Sequence, residues 1–491
     1  MAGVEGWTQE KWERVRRELP LAAAVFDKGR SLKARFHVPG HQGFGLDPLG
    51  DRWGSAFLDD LTELEGLDNL AVPTGAIAAA QNLAAQTFGA DRTWFLVNGS
   101  TVGLQAALLA VSRFNPNSRQ KIIISRNAHQ SILTGLVLSG LEPVWVQPEV
   151  DPDWAIATHV TPVAIAQALK THSDVCAVCI VSPTYYGTTS DVAAIAQLCH
   201  QREIPLIVDE AHGGHFIAHP DLPQSALTAG ANIVIQSAHK TLGSLTQSAF
   251  LQYQSPPFEV SGLEDSLSDS LRLLQSSSPS YLLMTSLDVA RSHLQHYGHQ
   301  DWQRALDRAL DLRDRLNQIP KLTVLEHLNH DPTRVIIDVT ELGWTGYAMD
   351  EYLDDHGIAV EIGDPRAIGL VITPQTQPSA IQVLVQELRL LPVKPRQSKG
   401  KTLLIPTISN MVLSPRQAWF SPKKQVFIND AVGKICGEWI CPYPPGIPVL
   451  VPGEEINRDR LDFLKETLVI GGELSGLVDP NLQTVQVIDP S

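Results

Sequence analysis

Two short apolar runs in this chain end in residues that together can hold an aldehyde-bearing, nitrogen-containing ring. Ile233-Val234-Ile235 leads into Ser237-Ala238-His239-Lys240, and upstream of it Leu206-Ile207-Val208 leads into Asp209-Glu210-Ala211-His212. A lysine amine condenses with an aldehyde to a Schiff base, and a carboxylate from a nearby strand keeps a pyridine nitrogen protonated, so that the ring accepts an electron pair. Lys240 and Asp209 are therefore the minimum apparatus for pyridoxal phosphate. A strand-end lysine is more commonly a solvated surface charge, because lysine is rarely buried unpaired. What separates the two readings is the company it keeps.

Asn98-Gly99-Ser100-Thr101 lies between the strand-like Trp94-Phe95-Leu96-Val97 and a helix-like stretch beginning near Gly103. Backbone donors at a helix start suit a phosphate, although small residues at such a place also make an ordinary tight turn. Ser100, Thr101, Ser237 and His239 are the candidate phosphate ligands, joining hydroxyl and imidazole donors to those N–H groups. A third run, Lys121-Ile122-Ile123-Ile124, ends in Arg126-Asn127-Ala128-His129, whose imidazole can stack on a planar ring. Ala211, small and next to Asp209, leaves room at the other ring face. His212 can contact the ring hydroxyl or the substrate carboxylate, or be a satisfied buried histidine. A fourth run, Val178-Cys179-Ile180-Val181, ends in Ser182-Pro183-Thr184-Tyr185-Tyr186-Gly187. Polar clusters that follow apolar runs in this way fit the rule that ligands bind beyond the carboxyl ends of parallel strands.

In this order the motifs resemble the Orn/Lys/Arg decarboxylase family of fold-type-I pyridoxal phosphate enzymes. The resemblance is carried by His37-Val-Pro-Gly-His41, Asp60-Leu-Thr-Glu63, Gly66-Leu-Asp-Asn-Leu70, the clusters above, Ser277-Ser-Pro-Ser-Tyr281 and the C-terminal Tyr443-Pro-Pro-Gly-Ile-Pro-Val-Leu-Val-Pro-Gly-Glu454. Gln130 departs from relatives that have lysine after the stacking histidine. The resemblance implies an aspartate aminotransferase-like large domain and catalytic roles for Lys240, Asp209, His129 and His212. It also implies that Ser277 or Ser278 reaches the phosphate of a neighbouring subunit, making the active site a property of a homodimer or of a larger assembly built from dimers; by spacing alone those serines are a helix-capping turn. The short form resembles biosynthetic arginine decarboxylases, which release agmatine for polyamine synthesis. Lysine or ornithine decarboxylation is the alternative, and an aminotransferase sharing the lysine and aspartate is a more distant one. A cationic substrate end calls for an acid in a partly dry pocket. Asp60, Glu63, Glu361 and Glu454 stand in motif-like surroundings, but among 53 acidic residues an accidental one is common.

Composition bounds the rest. A chain of 491 residues is too long for one core, so two or three domains are expected. Its net charge of −15 argues against nonspecific nucleic-acid binding. The five cysteines share no repeated spacing; Cys176 and Cys179 would point to opposite faces of a strand, a poor chelate, and no metal is expected. The N-terminus lacks the basic-then-apolar order of a signal peptide, and the apolar run at residues 21–26 is too short to span a bilayer, so a reducing cytoplasm is the expected compartment.

Residues 1–70 read as a helix and a Gly- and Pro-rich arm. Residues 71–320 alternate short apolar runs with helix-like stretches, an α/β pattern that predicts a mostly parallel sheet and the large domain. Its last helix is read over residues 301–319 from Trp302, Leu306, Ala309, Leu312 and Leu316. A small α+β domain follows over 321–392, with strands at 334–339 and 358–362 around a helix near 347–356. A basic, breaker-rich linker at 393–405 then leads to a C-terminal domain over 406–491.

Overall fold

The computed structural model describes residues 8–113, 120–259, 262–327, 329–394, 406–443 and 446–489. The expected linker falls, from residue 395 to 405, outside the described residues. Seven strands are threaded between helices: β1 (Arg92–Leu96), β2 (Lys121–Ser125), β3 (Glu142–Val146), β4 (Val175–Val181), β5 (Leu206–Asp209), β6 (Ile233–Gln236) and β7 (Ala249–Tyr253). The chain divides into two compact units. One comprises residues 1–114, 207–219 and 224–299; the other comprises 115–206, 220–223 and 300–491.

In the first unit the strand order is β1-β7-β6-β5. β5 is parallel to β6, whereas β7 is antiparallel to both β6 and β1, so β1, β5 and β6 all run the same way. The clusters beginning at Asn98, Asp209 and Ser237 therefore emerge at one end of these strands. The helix Gly99–Arg113 packs against β1 and β6. Gly103 permits the approach: a methyl at this position would lie 2.8 Å from Leu96 Cδ1 and 2.9 Å from Ile235 Cγ2.

The N-terminal helices Gln9–Glu18 and Pro20–Ser31 are fastened by a buried ion pair. Asp288 accepts the N–H groups of Leu21 at 3.0 Å and Ala22 at 3.2 Å, which have no partner inside their own helix. Arg291 pairs with Asp288 at 2.6 Å and donates to Glu18 O. Both belong to a helix that runs unbroken from Tyr281 to Asn317, where the sequence pattern showed only residues 301–319. Its first turns escape the apolar period because Asp288 and Arg291, 0% and 1% exposed, occupy inward positions that periodicity assigns to the surface.

In the second unit β2 is parallel to both β3 and β4. Cys176 and Cys179 lie on β4, and all five cysteines are buried. A separate antiparallel sheet has the order β10-β11-β9-β8, from β8 (Thr323–Val324), β9 (Arg334–Asp338), β10 (Ile362–Gly363) and β11 (Ala367–Val371). Its core includes Ala309, Leu312 and Leu316 of the long helix. The strand expected at 358–362 shrinks to β10, because Ile358 and Val360 pack against this core without their backbone joining the ladder; β11 was not anticipated. Further on, β12 (Lys423–Phe427) pairs with β15 (Thr484–Ile488), and β13 (Cys441–Tyr443) with β14 (Glu473–Ser475), around a core that includes Ile440, Leu450, Leu464 and Val487. No helix among the described residues is long and apolar enough to cross a membrane.

Removing one partner of a buried ion pair strands the other charge. Asp288→Ala is therefore expected to cost about 3–5 kcal/mol in equilibrium denaturation and to expose the N-terminal helices to proteolysis. Removing both charges with Asp288→Leu/Arg291→Met is expected to recover part of that loss.

Candidate active site

Asp209 closes β5 opposite Ile235 of β6, so its side chain lies on the sheet face covered by the helix Gly99–Arg113. It is 5% exposed and accepts the Ala211 N–H at 3.2 Å. Burial raises its pKa; the Lys240 charge and the Ala211 N–H act in the opposite sense. Lys240 stands on the one-turn helix Ala238–Thr241 directly after β6, with its Nζ 2.9 Å from His212 Nε2. An ammonium can only donate, so with Lys240 protonated His212 accepts. The structure thus gives His212, 3% exposed, a partner that neither sequence reading named: the lysine amine itself.

Two of the expected phosphate ligands, Ser100 and Ser237, meet. Ser237 is fully buried and its hydroxyl donates to Ser100 Oγ at 2.8 Å. Ser100 and Thr101 occupy the first turn of a 15-residue helix whose leading N–H groups have no intrahelical acceptor. His239 donates from Nδ1 to Ser248 O at 2.9 Å, which leaves Nε2 able to donate to an anion only when the ring is protonated. An amine, a buried carboxylate as acceptor and a helix start beside two hydroxyls fit a group carrying an aldehyde, a basic ring nitrogen and a phosphate. Ala211 is buried beside Asp209.

Ser277 and Ser278 are exposed in a turn before the long helix. Capping there falls to Ser280, whose hydroxyl accepts the Leu283 N–H at 3.4 Å, so the helix-cap reading of the earlier serines gives way. His129 belongs to the second unit. Its Nδ1 lies 2.9 Å from Ser131 Oγ and accepts the Ser131 N–H at 3.2 Å, so its proton is carried by Nε2 when the ring is neutral.

Sequence reasoning passed over Glu210. It is 1% exposed on the sheet face opposite Asp209, accepting from the Ala226 N–H at 2.7 Å and from Gln236 Nε2 at 2.6 Å. Gln236 in turn accepts from Gln252 at 2.8 Å. Burial pushes the Glu210 pKa up to about 8 against the pull of the two hydrogen bonds. The signal was available: consecutive strand residues face opposite ways, so Asp209 and Glu210 cannot serve one site.

The four acids considered for a cationic substrate end now separate. Asp60 is 3.1 Å from His41, and Glu63 accepts the Thr62 hydroxyl at 2.6 Å. Glu361 is exposed and its backbone N–H joins Gly369 O. Glu454 is fully buried between Arg126 at 3.2 Å and Arg460 at 2.6 Å, so its charge is already matched.

Comparison with known proteins adds two matches along the chain: the Orn/Lys/Arg decarboxylase major domain over residues 19–332 and the Orn/Lys/Arg decarboxylase C-terminal domain over residues 402–487. The chain is 34% identical to an arginine decarboxylase of Bacillus anthracis, covering 96% of this chain and 97% of that one. It is 35% identical to an arginine decarboxylase of Bacillus subtilis (strain 168), covering 96% and 98%. Among solved structures, the E. coli constitutive lysine decarboxylase superposes with a TM-score of 0.82 at 20% identity, covering 98% of this chain and 83% of that one.

Glu210 generates a pH signature. Its folded pKa of about 8 stands above the ordinary 4.5, so between these values the native state holds a proton that the unfolded chain has lost. Stability should therefore fall as pH rises through that window, by about 1.4 kcal/mol per unit from this group, and level off above it. Glu210→Gln resembles the neutral acid and is expected to gain steadily on the wild type from pH 4.5 to about 8. Denaturation of both proteins across that range checks this; a constant difference would mean that Glu210 does not titrate there.

Proposed function

The chain belongs to the Orn/Lys/Arg decarboxylase family, and from that premise we propose that it decarboxylates L-arginine to agmatine and carbon dioxide with pyridoxal 5'-phosphate as cofactor. The observation that carries the chemistry is the convergence of Lys240, Asp209 and the Ser100–Ser237 hydroxyl pair at the ends of β6, β5 and β1. The choice of arginine rests on the arginine decarboxylases that match nearly the whole chain at 34% and 35% identity. When bound, the cofactor supplies an electron sink for the pair left behind as the carboxylate departs.

The residues of this chain do the rest. Lys240 provides the primary amine that attaches the cofactor, and His212 holds that amine in place. Asp209 keeps a proton on the ring nitrogen; its burial makes a cationic N–H a favourable neighbour. Ser100, Thr101, Ser237, His239 and the helix start at Gly99 bind the phosphate, and Ala211 leaves room beside the ring. His129 is assigned a ring face, and Ser277 and Ser278 the phosphate of a partner chain in a homodimer, from the family resemblance. Five buried cysteines without the repeated spacing of a disulfide framework suit a reducing cytoplasm, where agmatine would enter polyamine synthesis.

Incubation of the protein and cofactor with arginine, lysine and ornithine separately, with carbon dioxide and amine measured, should give agmatine from arginine as the preferred reaction. Preference for lysine or ornithine would reassign the substrate, and amino-group transfer to a keto acid would reassign the reaction. Borohydride reduction followed by peptide mass analysis should place the pyridoxyl group on Lys240; its recovery on another lysine would refute the site. Asp209→Ala should lose turnover by about 10²-fold or more while Lys240 remains labelled.

A further inference from the structure

We propose that the Arg126–Glu454–Arg460 cluster makes the C-terminal domain a positioning element for His129. The inference rests, in its consequence for the cofactor, on the reading of His129 as the residue at the ring face. Arg126 follows β2 and is 7% exposed. It donates to Pro448 O, to Val449 O at 3.2 Å and to Glu454 at 3.2 and 3.4 Å. Arg460 grips the same carboxylate at 2.6 Å and also donates to Val449 O and to Thr407 O at 2.8 Å. Glu454 further accepts the Val451 N–H at 3.2 Å.

Two arginines with fixed forks of donors thus hold Val449 and Glu454 in one register on the segment that leaves β2. Stability alone does not call for such an arrangement, since apolar residues of similar volume commonly serve as well or better. What the charges add is direction. Upstream of this anchored stretch, Gly446 turns at φ +80° against the imidazole of His129. A methyl built on Gly446 would lie 3.7 Å from both His129 Cδ2 and Nε2. The opposite edge of the ring is held at Nδ1 by Ser131. His129 is therefore held at Nδ1 by the helix that follows it, while its opposite edge faces the Gly446 turn of the C-terminal domain.

Glu454→Gln keeps the shape of the side chain and removes the charge that joins the two arginines. Gly446→Ala leaves the charged cluster intact and strains the turn that faces the ring, because alanine adopts φ +80° only at a cost, so it decides the question alone if Glu454→Gln fails to fold. Hydrogen exchange of residues 127–132 in the cofactor-free full-length protein should quicken about tenfold or more in each variant while β9 stays protected, and the dissociation constant for pyridoxal 5'-phosphate should rise about ten- to hundredfold. In a His129→Ala background the same substitutions should weaken cofactor binding no further. Exchange that changes only within residues 443–460, with 127–132 as in the wild type, would overturn the proposal. If His129→Ala alone leaves cofactor affinity unchanged, the ring-face reading fails, and the exchange at 127–132 then decides the positioning role by itself.

Discussion

A carboxylate taken out of water must be given a counter-charge or hydrogen-bond donors, and Asp209 imposes that demand on the whole first unit. Its side chain is buried at the end of β5, supported by one backbone N–H and the charge of Lys240. That support exists because β5 and β6 are parallel and in register, with Asp209 opposite Ile235 and Lys240 one short turn beyond. It also requires the helix Gly99–Arg113 to lie close over the same face, which Gly103 allows. Moving either strand by one residue would turn the acid away from the lysine.

The two faces of these strands divide polar work between them. Asp209 and Glu210 are consecutive and both buried, yet one faces the lysine and the other an amide chain through Gln236 and Gln252. At Glu210 desolvation outweighs the two hydrogen bonds, so its raised pKa follows from the same burial that makes Asp209 a strong partner for a cation. Gln236 precedes Ser237, and the Glu210–Gln236 hydrogen bond joins the strand ends that carry Asp209 and Lys240. A neutral acid suits that task as well as an anion.

In the second unit a buried acid is matched by two cations, where Asp288 in the first unit is matched by one. Glu454 is shared between two arginines that also collect backbone carbonyls. Glu454, the acid that ends the C-terminal motif, is thereby already paired with Arg126 and Arg460.

The strand-end placement of Lys240, Asp209, Ser100, Ser237 and Ala211 was legible in the sequence because strands of this kind are short, nearly continuous apolar runs, and a polar cluster that ends such a run emerges at the strand's end. Chain order and composition suffice for that reasoning, which is local. The length of the helix Tyr281–Asn317, the partner of His212 and the captivity of Glu454 were not legible. Each depends on residues far apart in the chain: Asp288 meets Leu21, Lys240 meets His212, and Arg126 meets Glu454. Periodicity counts a charged residue as outward, and a motif shows which acids are present but not which are already matched. Only tertiary structure decides whether a buried charge has a partner, because desolvation and pairing act through space and leave no local period in the sequence.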